Sequence, residues 1–215
     1  DQFSKKLKEL KLTLIDSTGD GTCMFHSIKG YKDLEEKVDG IDGKIVKVKD
    51  TPPSARGWRP IKYKYTGNGS ELRTNVNNWY SSHLKEDNNL VMKDEKSLLT
   101  WALAIGMDVT DVESLDRYIK RIRDGHYGGI PEMNALSSIY NRNIDVYTFA
   151  DGELKVIEGY GSKPQTELMS HDERSIEGKP PITLFLKDNG NLGDHYMILF
   201  PTTELDKILG MQGGS

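Results

Sequence analysis

Short apolar runs with the length of β-strands dominate the hydrophobic pattern of this chain. They are LTLI at 12–15, NIDVYTF at 143–149, ITLFL at 182–186 and HYMILF at 195–200. None approaches the roughly 18 apolar residues that a membrane helix needs, whereas runs of about 4 to 8 are typical of buried strands. Segments with helical spacing fill the middle of the chain, and most of the strands follow them. This order favours one mixed α/β domain of the α+β kind and predicts no membrane segment.

Helical spacing of apolar residues marks the segments between these runs. It predicts a short amphipathic helix at 3–12, a core helix at 71–84 and two helices within 95–123. The sequence DVTDVES predicts a helix cap between the last two. Pro131 stands where the first residue of a further helix is favourable. The sequence DGELKVIEGY at 151–160 predicts the hairpin partner of the strand before it.

Residues 38–70 differ from the flanking segments in their pattern of apolar and polar residues. Two short alternating runs, IVKVK and IKYKY, flank a Pro-rich turn and predict a hairpin inserted into a single domain that spans 1–205. Residues 206–215 are expected to form a tail that is partly vector-derived. Three aromatic residues of the insertion are open to two interpretations, as anchors for a protein partner or as a small satellite core. They are Trp58, Tyr63 and Tyr65.

Composition narrows the classes of function. The chain has one cysteine among 215 residues, and its 29 basic and 33 acidic residues give a formal charge of −4. A single cysteine excludes an internal disulfide and a multi-cysteine zinc site, and it favours a reducing compartment. The lack of a basic excess argues against nucleic acid as a partner. The N-terminal sequence DQFSKKLKEL has no apolar signal-peptide region, so we expect a cytoplasmic protein.

The only cysteine, Cys23, stands in GDGTCMFHSI between a glycine-rich turn and an apolar run with helical spacing. A helix that begins at Cys23 favours the thiolate, which is the reactive form of the side chain. Gly19 and Gly21 permit the positive φ of a tight turn, and Asp20 accepts hydrogen bonds from nearby amides. The loop is therefore a candidate oxyanion hole beside a candidate nucleophile. From these residues alone, a buried structural cysteine remains the alternative.

A catalytic thiol needs a general base, and the chain has five histidines as candidates. His26 follows three residues after the cysteine and is expected to pack, and His83 is expected at the surface or half-buried. His126 and His171 lie in polar segments and are expected to be solvated. His195 opens HYMILF directly after a loop, where a rigid strand presents a side chain to a neighbouring helix end. Its alternative is an ordinary histidine at the start of a strand.

Three blocks of the sequence resemble, in the right order, the ovarian-tumour (OTU) family of cysteine proteases, which remove ubiquitin. GDGTCMFHSI is similar to the family's Asp-Gly-x-Cys signature, and YGGIPEMNALSSIYNRNIDVY to its aromatic-Gly-Gly segment with the following helix and strand. DHYMILFP is similar to its terminal His-aromatic strand. With the helix ELRTNVNNWY, the resemblance covers most of residues 12–201. It implies a papain-like architecture of OTU type, in which helices flank a small central β-sheet, and one catalytic domain over 1–205.

The resemblance also implies roles for individual residues. Cys23 would attack the isopeptide carbonyl, and His195 would act as general base and then as acid for the lysine leaving group. Asp20 and the backbone amides through Cys23 would shape the oxyanion hole. The reaction would be hydrolysis of the isopeptide bond at the ubiquitin C-terminus through a thioester, without a metal or an organic cofactor. The implied partner is ubiquitin or polyubiquitin.

The sequence departs from the family pattern at the third member of the triad. Many family members have Asn or Asp two residues after the histidine, but here that position is Met197. Asp194 is adjacent to the histidine and should point to the opposite face of the strand. Other family members take the acid from the segment before the cysteine. Asp16 is therefore the first candidate to orient the imidazole and Asp20 the second, and a Cys–His dyad is the alternative.

Two other functions stay open on the sequence. One is a catalytically inactive ubiquitin-binding module, for which Met197 argues and against which the intact Cys23 and His195 argue. The other is a thiol hydrolase that acts on a different ubiquitin-like modifier. In each case we expect a monomer that contacts neither nucleic acid nor membrane. The divergent insertion suits a viral or bacterial effector that acts in a host cytoplasm.

Overall fold

The computed structural model describes residues 2–36, 45–47, 61–84, 95–161, 173–187 and 194–212. Within these ranges seven helices accompany one seven-stranded sheet. The helices are α1 (Gln2–Leu10), α2 (Cys23–Glu36), α3 (Ser70–Leu84), α4 (Glu95–Ala104), α5 (Val112–Arg123), α6 (Ile130–Tyr140) and α7 (Thr202–Gln212). The strands are β1 (Leu12–Asp16), β2 (Ile45–Lys47), β3 (Tyr63–Tyr65), β4 (Ile144–Ala150), β5 (Glu153–Tyr160), β6 (Ile182–Lys187) and β7 (His195–Pro201). No helix in these ranges is both long and apolar enough to cross a membrane.

The sheet brings the two ends of the chain together. Its strand order is β2-β3-β1-β7-β6-β4-β5, with β7 antiparallel to both β1 and β6. In the register of the first pair, Ile15 lies opposite Ile198. Because the two strands run in opposite directions, the end of β1 at Asp16 meets the start of β7 at His195. Residues 179 positions apart therefore share one edge of the fold.

Alternating residues of the central strands face two hydrophobic cores. Ile15 and Ile198 belong to the larger core, which lies on the side of α2. Leu14 and Met197 belong to a smaller core, which Phe3 of α1 helps to close. Because successive side chains point to opposite faces of a strand, the two cores lie on opposite faces of the sheet. Helix α2 packs on one face and α1 on the other. The predicted mixed α/β fold with a central sheet flanked by helices is confirmed.

Two local sequence signals have the geometry that they predict. Asp151 and Gly152 have φ values of 55° and 76°, which is what a two-residue turn of type I′ requires, and they join β4 to β5 as a hairpin. Asp111 caps α5, because its side chain accepts a hydrogen bond from the amide of Ser114 and the Ser114 hydroxyl accepts one from the amide of Asp111. The hairpin partner at 151–160 and the cap before the second middle helix are both confirmed.

The part of the predicted insertion that the structure describes joins the main sheet. β2 pairs antiparallel with β3, and β3 also pairs parallel with β1. Tyr65 is 0% exposed within the larger core and donates a hydrogen bond to Asp33 at 2.5 Å. Both interpretations of Tyr65 are therefore wrong, because it is neither an exposed anchor nor part of a satellite core. Tyr63 is half-buried beside the same core, and Trp58 lies outside the described residues.

The boundary predicted at residue 205 falls inside a helix. α7 continues to Gln212, and Ile208 is only 3% exposed, packed in the larger core with Leu205. Two apolar residues at helical spacing i, i+3 bury one face of this helix. The prediction of a tail from residue 206 is thus wrong for residues 206–212, and residues 213–215 lie outside the described part of the chain.

Candidate active site

Cys23 is the first residue of α2 and is 2% exposed. The glycine-rich segment 19–22 brings the chain from the end of β1 to this helix, so the thiol lies at the helix N-terminus, as predicted. The partial positive charge of a helix N-terminus stabilises a thiolate relative to a thiol. The position therefore suits a reactive cysteine.

His195 and Asp16 form a direct pair at the sheet edge. His195 Nε2 lies 2.7 Å from Asp16 Oδ1, and the amide of Ser17 donates to the same oxygen at 2.8 Å. The carboxylate oxygen only accepts, so Nε2 carries a proton and Nδ1 is the nitrogen left for Cys23. The structure thus places the first-ranked acid candidate, Asp16, against the imidazole.

The surroundings of His195 favour its protonated form. Burial acts to lower the pKa of the imidazole, but the hydrogen bonds and negative charges of Asp16 and Cys23 outweigh it. Together they raise the pKa of His195 from 6.5 to about 9. At neutral pH the ring is therefore an imidazolium beside the thiol, which is the charge arrangement of an activated cysteine.

The raised pKa of His195 predicts a pH dependence of stability. The extra stability is complete below pH 6.5, where the unfolded chain also holds the proton, and it is lost as the pH rises to about 9. We expect wild type to exceed His195→Gln in unfolding free energy at pH 6, and the difference to shrink by on the order of 2 kcal/mol by pH 9.5. Urea unfolding of both proteins across this range measures it. A difference that does not change with pH would contradict the imidazolium.

Asp20 serves the cysteine loop and not His195. Its Oδ1 accepts from the amide of Thr22 at 2.8 Å and lies 3.1 Å from His26 Nε2. His26 Nδ1 accepts from the amide of Gly69 at 2.7 Å, so Nε2 carries the proton that faces Asp20. Burial acts to raise the pKa of Asp20, but the hydrogen bonds from Thr22 and His26 outweigh it and lower that pKa. Asp20 is therefore a loop anchor, and the structure pairs it with His26 and not with the His195 imidazole, for which it was the second candidate.

The loop amides are arranged differently from the predicted oxyanion hole. The amide of Cys23 donates to the carbonyl of Asp20 at 3.1 Å, and the amide of Thr22 donates to the Asp20 carboxylate. Among the described residues, none accepts a hydrogen bond from the amide of Gly21. Of the three amides that follow Asp20, only that of Gly21 stays available to an oxyanion in this conformation.

The other candidate side chains contact groups other than the thiol. His83 stacks against Trp79 and Trp101, with ring centroids 4.0 and 5.7 Å away, and His126 is exposed. Met197 is buried in the smaller core. His171 lies outside the described residues. No group of three His, Cys, Asp or Glu side chains suited to a metal ion occurs in the ranges that the structure describes.

Two buried serines that sequence reasoning missed connect the elements of the site. The hydroxyls of Ser17 and Ser27 lie 2.9 Å from each other, and 2.9 and 3.0 Å from the carbonyl of Tyr196. They tie the end of β1 and helix α2 to the residue next to His195. Serines at such spacing are common in loops and helices, so the sequence carries no signal for this contact.

A buried carboxylate that sequence reasoning also missed holds the glycine pair before α6. Glu132 accepts hydrogen bonds from Tyr80 at 2.6 Å, Tyr118 at 2.9 Å and the amide of Gly129 at 2.8 Å. Burial raises the pKa of Glu132 against these bonds. A Cβ on neighbouring Gly128 would lie 2.7 Å from Met24 of α2, so this segment lies directly beside the cysteine helix. A capping glutamate three residues after a glycine pair was the available signal.

Comparison with known proteins gives a likeness in structure and none in sequence. No protein-family model matches the chain, and no curated protein matches it. The OTU domain of human OTUD1 is 16% identical and superposes with a TM-score of 0.50, over 93% of this chain and 92% of that one. An OTU deubiquitinase from Wolbachia pipientis wMel bound to ubiquitin is 14% identical, with a TM-score of 0.47 and coverage of 90% and 98%. The viral OTU domain protease from Qalyub virus is 14% identical, with a TM-score of 0.43 and coverage of 88% and 84%.

The likeness to the OTUD1 domain concerns the fold. It extends over nearly the whole of both chains, so the architecture described above is that of an OTU domain. An identity of 16% carries no residue roles from one protein to the other. The chemistry must be argued from the side chains of this chain.

Proposed function

We propose that this protein is a deubiquitinase that hydrolyses isopeptide bonds at the ubiquitin C-terminus with Cys23 as nucleophile. The observation that carries the proposal is the arrangement of three side chains at one edge of an OTU fold. Cys23 begins a helix, the thiol contributes to the raised pKa of His195, and Asp16 lies 2.7 Å from Nε2 of the imidazole. A nucleophile, a base and a group that orients the base are the requirements for thiol catalysis.

In the first half of the proposed reaction, the Cys23 thiolate attacks the carbonyl carbon between the ubiquitin C-terminal glycine and a lysine amine. A C–S bond forms and the carbonyl oxygen becomes an oxyanion, for which the amide of Gly21 is the available donor. As the intermediate collapses, the C–N bond breaks and His195 Nδ1 gives its proton to the departing lysine nitrogen. The product of this half is a thioester on Cys23.

In the second half, neutral His195 accepts a proton from a water molecule whose oxygen attacks the thioester carbon. The C–S bond breaks, and the thiolate and imidazolium pair is restored. The released ubiquitin carboxylic acid loses its proton to solvent. Asp16 stabilises the imidazolium at the start and end of the cycle and keeps Nδ1 directed at the thiol throughout.

The inactive-module alternative rested on Met197, which cannot orient an imidazole. The 2.7 Å pair of His195 and Asp16 argues against that alternative, because Asp16 can orient the imidazole in place of the residue two positions after the histidine. A hydrolase for another ubiquitin-like modifier stays as the second candidate. We further propose that the protein acts as a monomer in a reducing, cytoplasmic compartment, since its function requires a free thiol.

A ubiquitin with a C-terminal electrophile tests the proposal. We expect a covalent adduct with the mass of one ubiquitin, located on Cys23 by peptide mapping, and no adduct on Cys23→Ala. The same electrophile on other ubiquitin-like modifiers measures selectivity. Labelling by one of those modifiers alone would favour the second candidate. No labelling by any of them, with the protein folded and reduced, would overturn the proposal.

Asp16→Ala is expected to lower kcat by roughly 10- to 1000-fold while KM changes little. The reason is that His195 loses the acceptor for Nε2, so the imidazole is free to rotate and to adopt the wrong tautomer. Hydrolysis of a ubiquitin C-terminal fluorogenic amide measures the effect. Asp116→Ala is the matched control, because Asp116 is an exposed carboxylate of α5 that pairs with Lys120 on the same helix. Equal turnover in Asp16→Ala and the control would remove Asp16 from the site.

A further inference from the structure

Arg73 is a charged residue of α3 that is only 6% exposed. Its guanidinium donates from Nη1 to the carbonyls of Ile122 and His126 at 2.5 and 2.7 Å. From Nη2 it donates to the carbonyl of Gly21 at 3.0 Å and to the hydroxyl of Thr22 at 3.1 Å. One side chain therefore joins the loop before the cysteine to the turn after α5.

These bonds fix one peptide group of the cysteine loop from both sides. In a trans peptide the C=O and the following N–H point in opposite directions. The carbonyl of Gly21 is held by Arg73, and the amide of Thr22, in the same peptide group, is held by the Asp20 carboxylate at 2.8 Å. Rotation of this group would break both interactions. Its orientation in turn sets the position of the Gly21 amide and of Cys23 on either side.

The two loops also approach each other closely at the backbone. A Cβ at Gly21 would lie 2.8 Å from the carbonyl of Gly125, which is closer than a real side chain permits. The Arg73 guanidinium in turn lies over the ring of Phe25 in the cysteine helix, 4.7 Å from its centroid. Burial lowers the pKa of Arg73 against the charges of Glu132 and Asp20, and arginine remains protonated in proteins. Arg73 therefore keeps its positive charge, and its guanidinium contacts both the loop before the thiol and the helix that carries it.

We propose that Arg73 is a positioning residue for the reaction, which clamps the Gly21–Thr22 peptide so that the Gly21 amide is directed at the oxyanion. The inference rests on the proposed function. Arg73 acts through the loop and touches neither the thiol nor the substrate. A planar guanidinium reaches four acceptors on two loops at once, whereas a lysine ammonium does not match that geometry.

Arg73→Lys and Thr22→Val test the clamp, with Arg117→Lys on the exposed face of α5 as the matched control. Arg73→Lys keeps the positive charge but loses the planar guanidinium with its several donors. Thr22→Val loses only the hydrogen bond from Arg73 to the Thr22 hydroxyl, the longest of the four. We expect kcat for a ubiquitin C-terminal fluorogenic amide to fall roughly 10- to 100-fold in Arg73→Lys, with a smaller fall in Thr22→Val. KM should stay within about threefold, because an oxyanion donor acts on the transition state and not on substrate binding.

Hydrogen exchange of the peptide that spans residues 18–24 measures the clamp without any substrate. Faster exchange there in Arg73→Lys, together with the fall in kcat, supports the inference. Unchanged exchange, or a kcat equal to that of Arg117→Lys after correction for the folded fraction, overturns it. If Arg73→Lys does not fold, Thr22→Val decides by the same two readouts. A wild-type protein without turnover or labelling overturns the proposed function, and exchange at 18–24 then still decides whether Arg73 anchors the loop.

Discussion

Cys23→Ala is expected to reduce turnover of ubiquitin substrates by on the order of 10⁵-fold or more, to the limit of detection. The substitution removes the only thiol of the chain, so no other cysteine can replace the nucleophile or react in its place. The thioester cannot form, and a carboxylate and imidazole alone do not attack an isopeptide carbonyl at a useful rate. Release of the fluorophore from a ubiquitin C-terminal amide measures the loss.

Measuring ubiquitin binding by the variant distinguishes a loss of catalysis from a loss of folding. Cys23 is buried at a helix start, and alanine is a good helix former there, so the variant should fold. We expect Cys23→Ala to bind ubiquitin with a Kd within a few-fold of wild type, as measured by calorimetry. Cys23→Ser, which keeps the size and shape, should be equally inactive because a serine hydroxyl does not ionise beside this histidine. Turnover by Cys23→Ala, which has no nucleophilic atom at this position, would show that the thiol is not the nucleophile.

Where the determinants were local or nearly so, the sequence was sufficient to predict the structure. The turn at Asp151 and Gly152 and the cap at Asp111 depend on residues within a few positions, and both formed as predicted. The choice of Asp16 over Met197 depended on strand direction. β1 ends where β7 begins, so Asp16 at the end of β1 lies within hydrogen-bond distance of His195.

Contacts between distant segments could not be predicted in the same way. The apolar residues of α3 at positions 72, 76 and 80 suggested a core helix, but nothing local shows that Arg73 meets carbonyls about 50 residues before and after it. Arg73 lies three and seven positions before Val76 and Tyr80, which places it on the same helix face as these apolar residues. This spacing was the one available signal that the charge is buried. The burial of Tyr65 and of Ile208 likewise follows from how the sheet edge and the last helix pack, which short-range periodicity does not specify.

His195→Ala is the second substitution with a very large expected effect, a fall in turnover of roughly 10³- to 10⁵-fold. The thiol remains, but it loses the cation that stabilises its ionised form and the acid that protonates the lysine leaving group. Hydrolysis of the ubiquitin fluorogenic amide measures the fall. His83→Gln is the matched control, because His83 stacks on Trp79 away from the thiol and should leave turnover unchanged.

Alkylation of Cys23 by iodoacetamide distinguishes the two roles of His195. In wild type the positive charge of the imidazolium, whose pKa is raised to about 9, should speed alkylation of the neighbouring sulfur at neutral pH. In His195→Ala this positive charge is absent, so alkylation at neutral pH should be slower and should vary differently with pH. The same pH profile in both proteins would mean that His195 does not activate the thiol, and its role would reduce to proton transfer at the leaving group. A shifted profile together with lost turnover would assign both roles to the one imidazole that Asp16 holds.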